Sequence, residues 1–344
     1  MSQDRRSFLG AVAATGAGAA GVGAAEAAQA APVADPAPGV PTRPLGRTRV
    51  NVSILCLGGW HIGAVKEPKE AIRIMHAAID EGITFFDNAW DYHDGGSEEI
   101  MGRALAMDGR RKRVFLMTKN CARDAAGTRR HLEDSLRRLR TDVIDLWQFH
   151  EINYDNDPDW IVERGALREA LRAQKEGKIR FIGYTGHKSP HIHLRMLGVH
   201  NWDTVQMPVN VCDYHYRSFV REVIPEAAKR NIAVLGMKSL GGGAAGRGRF
   251  IAETVCSVEE AINYALSQRI ASLVVGIDSM AVLKQDLAIV RRFPSLDAEA
   301  LKKLVARVRP HAGDGRHERF KSTQHFDGPF HRAQHGLTQK EIER

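Results

Sequence analysis

Residues 83–92 read Ile-Thr-Phe-Phe-Asp-Asn-Ala-Trp-Asp-Tyr, an apolar, β-rich run that ends in a carboxylate and is followed by a phenol in the next loop. Two later runs, 114–117 and 144–149, end in the same way beside a lysine and a histidine. In a closed parallel barrel the carboxyl ends of all strands meet at one mouth, where binding and catalytic groups are placed. The polar side chains predicted to meet at this mouth are Asp87, Tyr92, Lys119 and His150.

The same alternation of apolar runs and helical patterns continues along the chain. Strands are predicted at 54–57, 84–86, 114–119, 144–149, 181–184, 204–207, 233–237 and 273–275. Helices are predicted at 68–81, at 97–107 with Ser97 as N-cap, around Leu132, Leu136 and Leu139, and at 166–176, 219–230, 257–266 and 280–290. Eight such units predict an α/β fold, a closed (β/α)8 TIM barrel with a parallel sheet over 43–291. An open doubly wound sheet is the alternative, and the absence of Gly-x-Gly-x-x-Gly after the first strand weakens it.

Composition limits the class of protein. The chain has 344 residues, of which 43% are hydrophobic, and a net charge of +8. The apolar fraction is enough for a sizeable core. Because the basic residues are scattered, the charge indicates a solvated surface rather than a nucleic-acid partner. Outside the N-terminal leader no stretch is long and apolar enough to span a bilayer, so we do not expect an integral membrane protein.

The first 42 residues have the features of an export signal. Arg5-Arg6-Ser7-Phe8-Leu9 has the twin-arginine pattern, an Ala/Gly stretch follows at 10–25, and Ala28-Gln29-Ala30 matches a cleavage site. The alternative is an Ala-rich leader that happens to contain two arginines. We expect a signal peptide at 1–30, a linker at 31–42, export by the twin-arginine translocation machinery, and a periplasmic or extracellular mature protein.

The C-terminal region, 292–344, differs from the barrel. A short helix is predicted at 297–308, followed by a polar tail that is either flexible or draped on the barrel. The spacing of its histidines does not fit a metal site, and no metal is predicted. The four cysteines contain no Cys-x-x-Cys pair and are expected to be buried free thiols: Cys56, Cys121, Cys212 and Cys256.

The four polar side chains at the predicted mouth suit proton delivery to a carbonyl. The pKa of free tyrosine is about 10, and the ammonium of Lys119 is expected to lower the pKa of Tyr92. Asp87 is expected to pair with Lys119 and fix its position. His150 is expected to donate a hydrogen bond that orients the substrate oxygen.

Several motifs, in order along the chain, resemble the aldo-keto reductases. They are the tyrosine motif at 86–92 with its continuation at 97–105, the lysine motif at 117–119, the histidine motif at 145–150, and Gly-Lys-Ile-Arg-Phe-Ile-Gly at 177–183. The likeness covers about 42–290. It implies an NAD(P)-dependent oxidoreductase in which Asp87, Tyr92, Lys119 and His150 are the catalytic tetrad and Tyr92 is the general acid/base.

The resemblance also implies a nicotinamide cofactor that lies extended across the barrel mouth without a Rossmann fold. The matching positions are Gly59, Trp60, Thr185, Gly186, Gln206, Met237, Lys238, Ser239, Leu240, Gly276, Asp278, Ser279, Gln285 and Asp286. Thr185 and Gln206 would hold the carboxamide, while Gly186 lacks the side chain that the family has there. Met237 replaces the aromatic residue that stacks on the nicotinamide, and a thioether packs less rigidly.

At the adenosine end the matching residues favour NAD over NADP. Gly276 and Val282 stand where many members bind a 2′-phosphate, and neither can pair with one. Asp278 would repel a phosphate and could accept from ribose hydroxyls. The alternative role for Asp278 is to cap the helix that begins near Met280. Gln285 and Asp286 match positions that contact adenine.

The substrate class follows only in outline: an aldehyde, a ketone or a sugar. Aromatic side chains suit ring-shaped substrates, although core packing is an alternative role for them; the candidates are Trp60, His61, Trp90, Trp147 and Tyr214.

Two other functions stay open at this point. One is a metal-dependent barrel hydrolase using His61, Asp91, His93 and His150, and the other is a non-catalytic sensor of nicotinamide nucleotide. An exported enzyme would have to carry its cofactor with it, so we expect the cofactor to be loaded before export and to dissociate slowly.

Overall fold

Eight parallel strands close into a barrel because the last strand pairs with both its predecessor and the first. The computed structural model describes residues 39–241, 251, 255–323, 332 and 333. The barrel strands are β3 (Leu55–Gly58), β4 (Phe85–Asp87), β5 (Phe115–Asn120), β6 (Ile144–Phe149), β7 (Ile179–Thr185), β8 (Thr204–Pro208), β9 (Ala233–Met237) and β10 (Ser272–Val275). β10 is parallel to β3 and to β9, which closes the sheet. The predicted (β/α)8 barrel is confirmed, and the open-sheet alternative is wrong.

Helices follow the strands and cover the outside of the barrel. They are α1 (Gly59–Gly63), α2 (Pro68–Asp80), α3 (Gly96–Leu105), α4 (Ala125–Leu139), α5 (Asp157–Glu163), α6 (Ala166–Lys175), α7 (Pro190–Leu197), α8 (Phe219–Lys229), α9 (Val258–Ser267), α10 (Met280–Arg291), α11 (Ala298–Ala312) and α12 (Arg319–Ser322). Sequence patterns missed α5 and α7, which are short and begin at or beside a proline. An isolated seven- or eight-residue segment carries too few apolar positions for a helical period to be recognised.

The predicted N-cap role of Ser97 is wrong. The cap of α3 is Gly95, whose φ of 92° is accessible to glycine. Ser97 lies inside the first turn, is buried, and donates its hydroxyl proton to the carbonyl oxygen of Gly59 at 2.8 Å. The serine therefore ties α3 to the loop after β3, at the mouth of the barrel.

A short antiparallel hairpin, not predicted from the sequence, lies at the opposite end of the barrel. Its strands are β1 (Thr42–Pro44) and β2 (Asn51–Ser53). Leu45 and Val52 pack in the cluster that includes Phe85 and Phe115 of the barrel interior. The hairpin thus closes the amino-terminal end of the strands, and Thr42 belongs to it rather than to a linker.

The helix predicted after the barrel is present as α11 and lies against the β8 side. Its Leu304, Val308 and Ala312 pack with Val211 and Tyr264. The chain then continues over the barrel to α12, where Phe320 is buried. The predicted signal peptide at 1–30 and residues 334–344 lie outside the described residues. In the described part of the chain, no helix has the length and apolarity needed to cross a membrane.

The four cysteines are all buried free thiols, as predicted.

Candidate active site

Asp87 and Lys119 form a buried ion pair at the mouth of the barrel. Asp87 is the last residue of β4, and Lys119 lies one residue before the end of β5. Their side chains are 3% and 1% exposed, and the ammonium donates to the Asp87 carboxylate. Lys119 Nζ also donates to the carbonyl oxygen of Asn88 at 2.7 Å. These bonds hold the ammonium in one position, as the sequence predicted.

Tyr92 and His150 complete the predicted group of four. Tyr92 starts the 3-10 segment Tyr92–Gly95, and Lys119 Nζ donates to its hydroxyl oxygen at 3.2 Å. His150 follows β6 directly, and its ring lies 5.5 Å from the tyrosine ring at an interplanar angle of 73°. The four side chains predicted from separate strand ends therefore come together at the mouth.

The expected lowering of the tyrosine pKa is wrong for the protein without cofactor. Burial raises the pKa of Tyr92 well above its usual value, and the carboxylates of Asp87, Asp91 and Glu151 raise it further. These effects outweigh the ammonium, since Lys119 has Asp87 as its direct partner. Burial likewise raises the pKa of Asp87, with the Lys119 charge opposing the shift. The phenol is therefore protonated at rest and is poised as a donor.

His150 contacts the carboxylate of Asp91, and this contact was not predicted from the sequence. Asp91 Oδ1 lies 3.0 Å from His150 Nδ1. Cys121 Sγ lies 3.2 Å from the same Asp91 oxygen and 3.6 Å from the same nitrogen. All three residues are buried. Cys121 directly follows β5 and His150 directly follows the neighbouring strand β6. This pairing was the feature of the sequence from which the contact could have been predicted.

The four residues proposed for a barrel hydrolase do not form one hydrogen-bonded group in the described structure. His93 Nε2 contacts the carbonyl oxygen of Trp60 at 2.7 Å. His61 lies against Gly276, where an added Cβ would come 2.3 Å from His61 Nδ1. Asp91 and His150 contact each other, but the group of potential metal ligands that meets among the described residues includes neither His61 nor His93.

Thr185, Gln206 and Met237 form the floor expected to hold the nicotinamide carboxamide. Thr185 pairs with Gln206 across β7 and β8. Gln206 Nε2 donates to Met237 Sδ at 3.7 Å, whereas its Oε1 is buried without a hydrogen-bond partner among the described residues. A buried amide oxygen calls for a donor, and the amide of a nicotinamide supplies one. These residues therefore fit a nicotinamide cofactor.

Gly186 is required by the path of the backbone. A Cβ at this position would come 2.4 Å from the carbonyl oxygen of Ile152 and 2.7 Å from His193 Cε1. The loop after β7 thus packs against the loop after β6 too closely for any side chain. The missing side chain at Gly186 is a consequence of this close packing.

Gly59 and Trp60 border the mouth on the side of β3. An added Cβ at Gly59 would come 2.6 Å from the carbonyl oxygen of Asp87, so the backbone must run directly beside the tetrad. Trp60 is 38% exposed, and its ring meets that of Tyr92 edge-on at 5.3 Å. An exposed indole next to the phenol of Tyr92 is available to a ligand.

At the predicted adenosine end, Ser279 rather than Asp278 caps α10, so the capping alternative for Asp278 is wrong. Ser279 Oγ accepts from the backbone nitrogen of Val282 at 3.3 Å. Asp278 and Gln285 are exposed, whereas Asp286 is 4% exposed. Burial raises the pKa of Asp286 to about 7.

The segment after β9 faces the C-terminal part of the chain. Lys238 has a positive φ of 58°, and its Nζ lies 5.5 Å from the ring centroid of Phe320. Burial lowers the pKa of Lys238. Ser239 is buried, and Leu240 packs with the cluster formed by α11. Residues 238–240 are thus packed against the C-terminal part of the chain.

A buried cluster of charges holds the C-terminal segment around α12 in place. Lys321 Nζ donates to Asp213 at 2.5 Å and lies 2.9 Å from Glu318, and the Lys321 and Asp213 side chains are 0% exposed. Asn210 donates to Glu318 Oε1 at 3.0 Å. Burial and Asp213 raise the pKa of Glu318 to about 7, with Lys321 opposing them. Asp213 and Asn210 lie in the loop after β8, so this cluster joins α12 to the barrel.

Two of the aromatic residues proposed to line the mouth do not. Trp147 is 2% exposed and belongs to the hydrophobic core. Trp90 stacks on His131 of α4 at 3.6 Å and is covered by Arg138. Tyr214 is 39% exposed and lies under the guanidinium of Arg221. Trp60, in contrast, contacts the ring of Tyr92.

Comparisons with known proteins agree with this geometry. The model of the aldo/keto reductase family matches residues 54–260. The chain is 34% identical over 230 residues to an uncharacterized oxidoreductase of Bacillus subtilis, which covers 59% of this chain and 67% of that protein. It is 32% identical over 166 residues to the 6-dehydroglucose reductase of Novosphingobium aromaticivorans, over 44% of this chain and 53% of that one. The match thus spans about half of the second relative.

A solved structure of an aldo-keto reductase has the same barrel fold. The holo form of an aldo-keto reductase from Bacillus halodurans superimposes with a TM-score of 0.67 at 24% identity, covering 81% of this chain and 99% of that one. The family match covers more than half of the chain and includes β3 to β9 with all four tetrad residues. This chain belongs to the aldo/keto reductase family and is an NAD(P)-dependent oxidoreductase.

Proposed function

We propose that this protein interconverts a carbonyl and an alcohol with Tyr92 as general acid/base. The observation that carries the proposal is the contact of 3.2 Å between Lys119 Nζ and the Tyr92 hydroxyl, with Asp87 behind the ammonium. The ring of His150 lies 5.5 Å from the ring of Tyr92. A carbonyl oxygen placed between Tyr92 and His150 meets two proton-bearing groups.

The chemistry of the site follows from these positions. A nicotinamide cofactor supplies the hydride in reduction and accepts it in oxidation. Tyr92 gives its proton to the carbonyl oxygen, and Lys119 stabilises the negative charge left on the phenol oxygen. His150 orients the substrate oxygen. Burial raises the pKa of Tyr92, which keeps the proton on the phenol until a carbonyl oxygen accepts it.

The cofactor pocket assigned to this chain consists of the floor at Thr185, Gln206 and Met237 and the rim at Gly59 and Trp60. The unpaired Gln206 Oε1 supports a carboxamide at this place. A preference for NAD is supported by Asp278, which is exposed beside Gly276 and is not used as the helix cap. A carboxylate at this position repels a 2′-phosphate.

The substrate class proposed is a small sugar-like carbonyl compound. The exposed indole of Trp60 next to Tyr92 offers an apolar face for a ring. One relative is a 6-dehydroglucose reductase, which supports a sugar aldehyde. An acyclic carbonyl compound would present no ring face to this indole.

Export remains part of the proposal. The twin-arginine pattern at Arg5-Arg6 supports translocation of a folded protein to the periplasm or beyond with its cofactor already bound. Denaturing protein isolated from the exported fraction and measuring released nucleotide by mass spectrometry tests this. Absence of NAD and NADP from that fraction would contradict pre-loading.

The decisive experiment is titration of the purified protein with NADH and with NADPH, followed by assays on aldehydes, ketones and keto- or aldo-sugars. We expect binding of both nucleotides, tighter binding of NADH, and turnover with sugar carbonyls. Nucleotide binding without turnover of any carbonyl would instead favour a sensor.

A further inference from the structure

Three potential metal ligands meet behind the tetrad, one after each of three successive barrel strands. Asp91 lies in the loop after β4, Cys121 directly after β5, and His150 directly after β6. Their ligand atoms all lie within 4.8 Å of one another, and the three residues are buried. A barrel frame positions strand-end residues rigidly, so this grouping does not depend on a long surface loop.

The separations between the ligand atoms match those around a tetrahedral ion. His150 Nδ1 and Asp91 Oδ1 are 3.0 Å apart, Cys121 Sγ and Asp91 Oδ1 3.2 Å, and Cys121 Sγ and His150 Nδ1 3.6 Å. Zinc bonds of about 2.0–2.3 Å at tetrahedral angles put such atoms about 3.3–3.6 Å apart. An ion therefore fits with shifts of a few tenths of an ångström, which about equal the tolerance of such a site.

A buried arginine fixes the backbone of two of the three ligands. Arg123 Nη1 donates to the carbonyl oxygen of Cys121 at 2.9 Å, and Nη2 donates to that of His150 at 2.8 Å. Arg123 Nε bonds Asp157 at 2.7 Å, and both side chains are at most 1% exposed. Supporting bonds of this kind set the geometry of ligand sets before a metal arrives.

We propose that Asp91, Cys121 and His150 form a binding site for a thiophilic divalent cation of the zinc class. The ligand set is one thiolate, one imidazole and one carboxylate, which is the donor chemistry that zinc selects. On binding, the Cys121 thiol proton leaves to solvent and its sulfur bonds the ion. The ion takes Nδ1 of His150, so the neutral ring carries its proton on Nε2. The site is joined to the tetrad through His150.

Cobalt(II) titration of the full-length protein tests the site without relying on activity. We expect about one cobalt ion per chain to produce a sulfur-to-cobalt charge-transfer band together with the visible bands of tetrahedral cobalt, and zinc to remove both. Weakly buffered protein should release about one proton per ion bound through the thiol. The histidines of the C-terminal tail cannot give a charge-transfer band, because they supply no sulfur.

Variants separate this site from other thiols. Cys121→Ser should abolish the charge-transfer band, and Asp91→Asn should weaken zinc binding roughly 10-fold or more, as loss of supporting or ligating groups does. Cys256→Ser is the matched control, a buried thiol in the α11 cluster that should leave the band unchanged. Circular dichroism checks that each variant folds.

The wild-type protein decides the matter even if a variant fails to fold. No charge-transfer band on titration, or visible bands without sulfur character, overturns the proposal and leaves a hydrogen-bonded triangle or a metal on the tail. A band that survives Cys121→Ser, or that is lost in Cys256→Ser, places the ion elsewhere and overturns it as well.

Discussion

Lys119 donates a hydrogen bond to the hydroxyl of Tyr92 over 3.2 Å, yet the pKa of that phenol is raised. The ammonium is shared with the Asp87 carboxylate and the Asn88 carbonyl oxygen, so its field at the phenol is largely compensated. The pair therefore positions and later stabilises the phenol oxygen, while burial keeps the proton on it until a carbonyl accepts it. This division of roles leads to the first two predictions.

Replacing Tyr92 by Phe should lower the turnover of carbonyl reduction about 100- to 10,000-fold, the range expected for loss of a general acid. Nucleotide affinity should change little, because the carboxamide floor at Gln206 is untouched. Stopped-flow oxidation of NADH and fluorescence titration measure the two quantities. Tyr264→Phe is the matched control, since this buried hydroxyl in α9 has no hydrogen-bond partner among the described residues. Equal turnover of Tyr92→Phe and the parent protein would remove Tyr92 from its assigned role.

Replacing Lys119 by Met should abolish turnover and also lower the free energy of unfolding by about 3–5 kcal/mol, because Asp87 would stay buried without its counter-charge. The double change Lys119→Met with Asp87→Leu should recover most of that stability without recovering turnover. Urea unfolding and steady-state rates distinguish the two effects. A single variant as stable as the parent would mean that Asp87 is protonated or hydrated in the fold.

The meeting of the four tetrad residues could be predicted from the sequence because two general rules apply without knowledge of the loop conformations. Short, nearly continuous apolar runs mark the strands, and the carboxyl ends of parallel strands share one mouth. Asp87 and Lys119 are in strands, so their positions follow from topology alone. The cofactor floor at Thr185 and Gln206 followed from motif resemblance, and its unpaired amide oxygen could only be seen in three dimensions.

What could not be predicted depends on loops and on burial. The contact of Cys121 with His150 depends on the directions of the two side chains directly after β5 and β6, which strand positions alone do not give. The sign of the Tyr92 pKa shift depends on how completely the phenol is desolvated and on the carboxylate of Glu151, which lies far from Tyr92 in the sequence. The β1–β2 hairpin has strands of three residues, too short for an apolar period to be recognised.

Stability in the absence of cofactor should fall as the pH rises through the range of the Asp286 carboxyl. Burial raises its pKa from 3.8 to about 7, so the folded state binds the proton more tightly than the unfolded chain. The contribution is fully present below about pH 4 and is lost by about pH 7, with a total on the order of 4 kcal/mol at about 1.4 kcal/mol per unit.

Asp286→Asn should therefore flatten the stability–pH profile between pH 4 and about 7 and raise stability most at the alkaline end. Thermal unfolding of the cofactor-free protein across this range gives the measurement. Asp278→Asn, an exposed carboxylate in the same region, should leave the slope unchanged. Identical slopes for Asp286→Asn and the parent would mean that water reaches the Asp286 carboxylate in solution.

Replacing Lys321 by Met should release the C-terminal segment at 318–323. Asp213 and Glu318 would then remain buried without their shared cation, at a cost of about 3–5 kcal/mol. Because the cluster joins α12 to the loop after β8, the loss should be local: amides at 318–323 should exchange rapidly while those of β5 and β6 stay protected. Hydrogen exchange with mass spectrometry reports both regions at once. Lys303→Met, on the exposed face of α11, is the control and should leave exchange unaltered. Nucleotide should also dissociate faster from Lys321→Met, since Phe320 would no longer be held against Lys238; unchanged exchange at 318–323 would mean that Phe320 packing alone secures the segment.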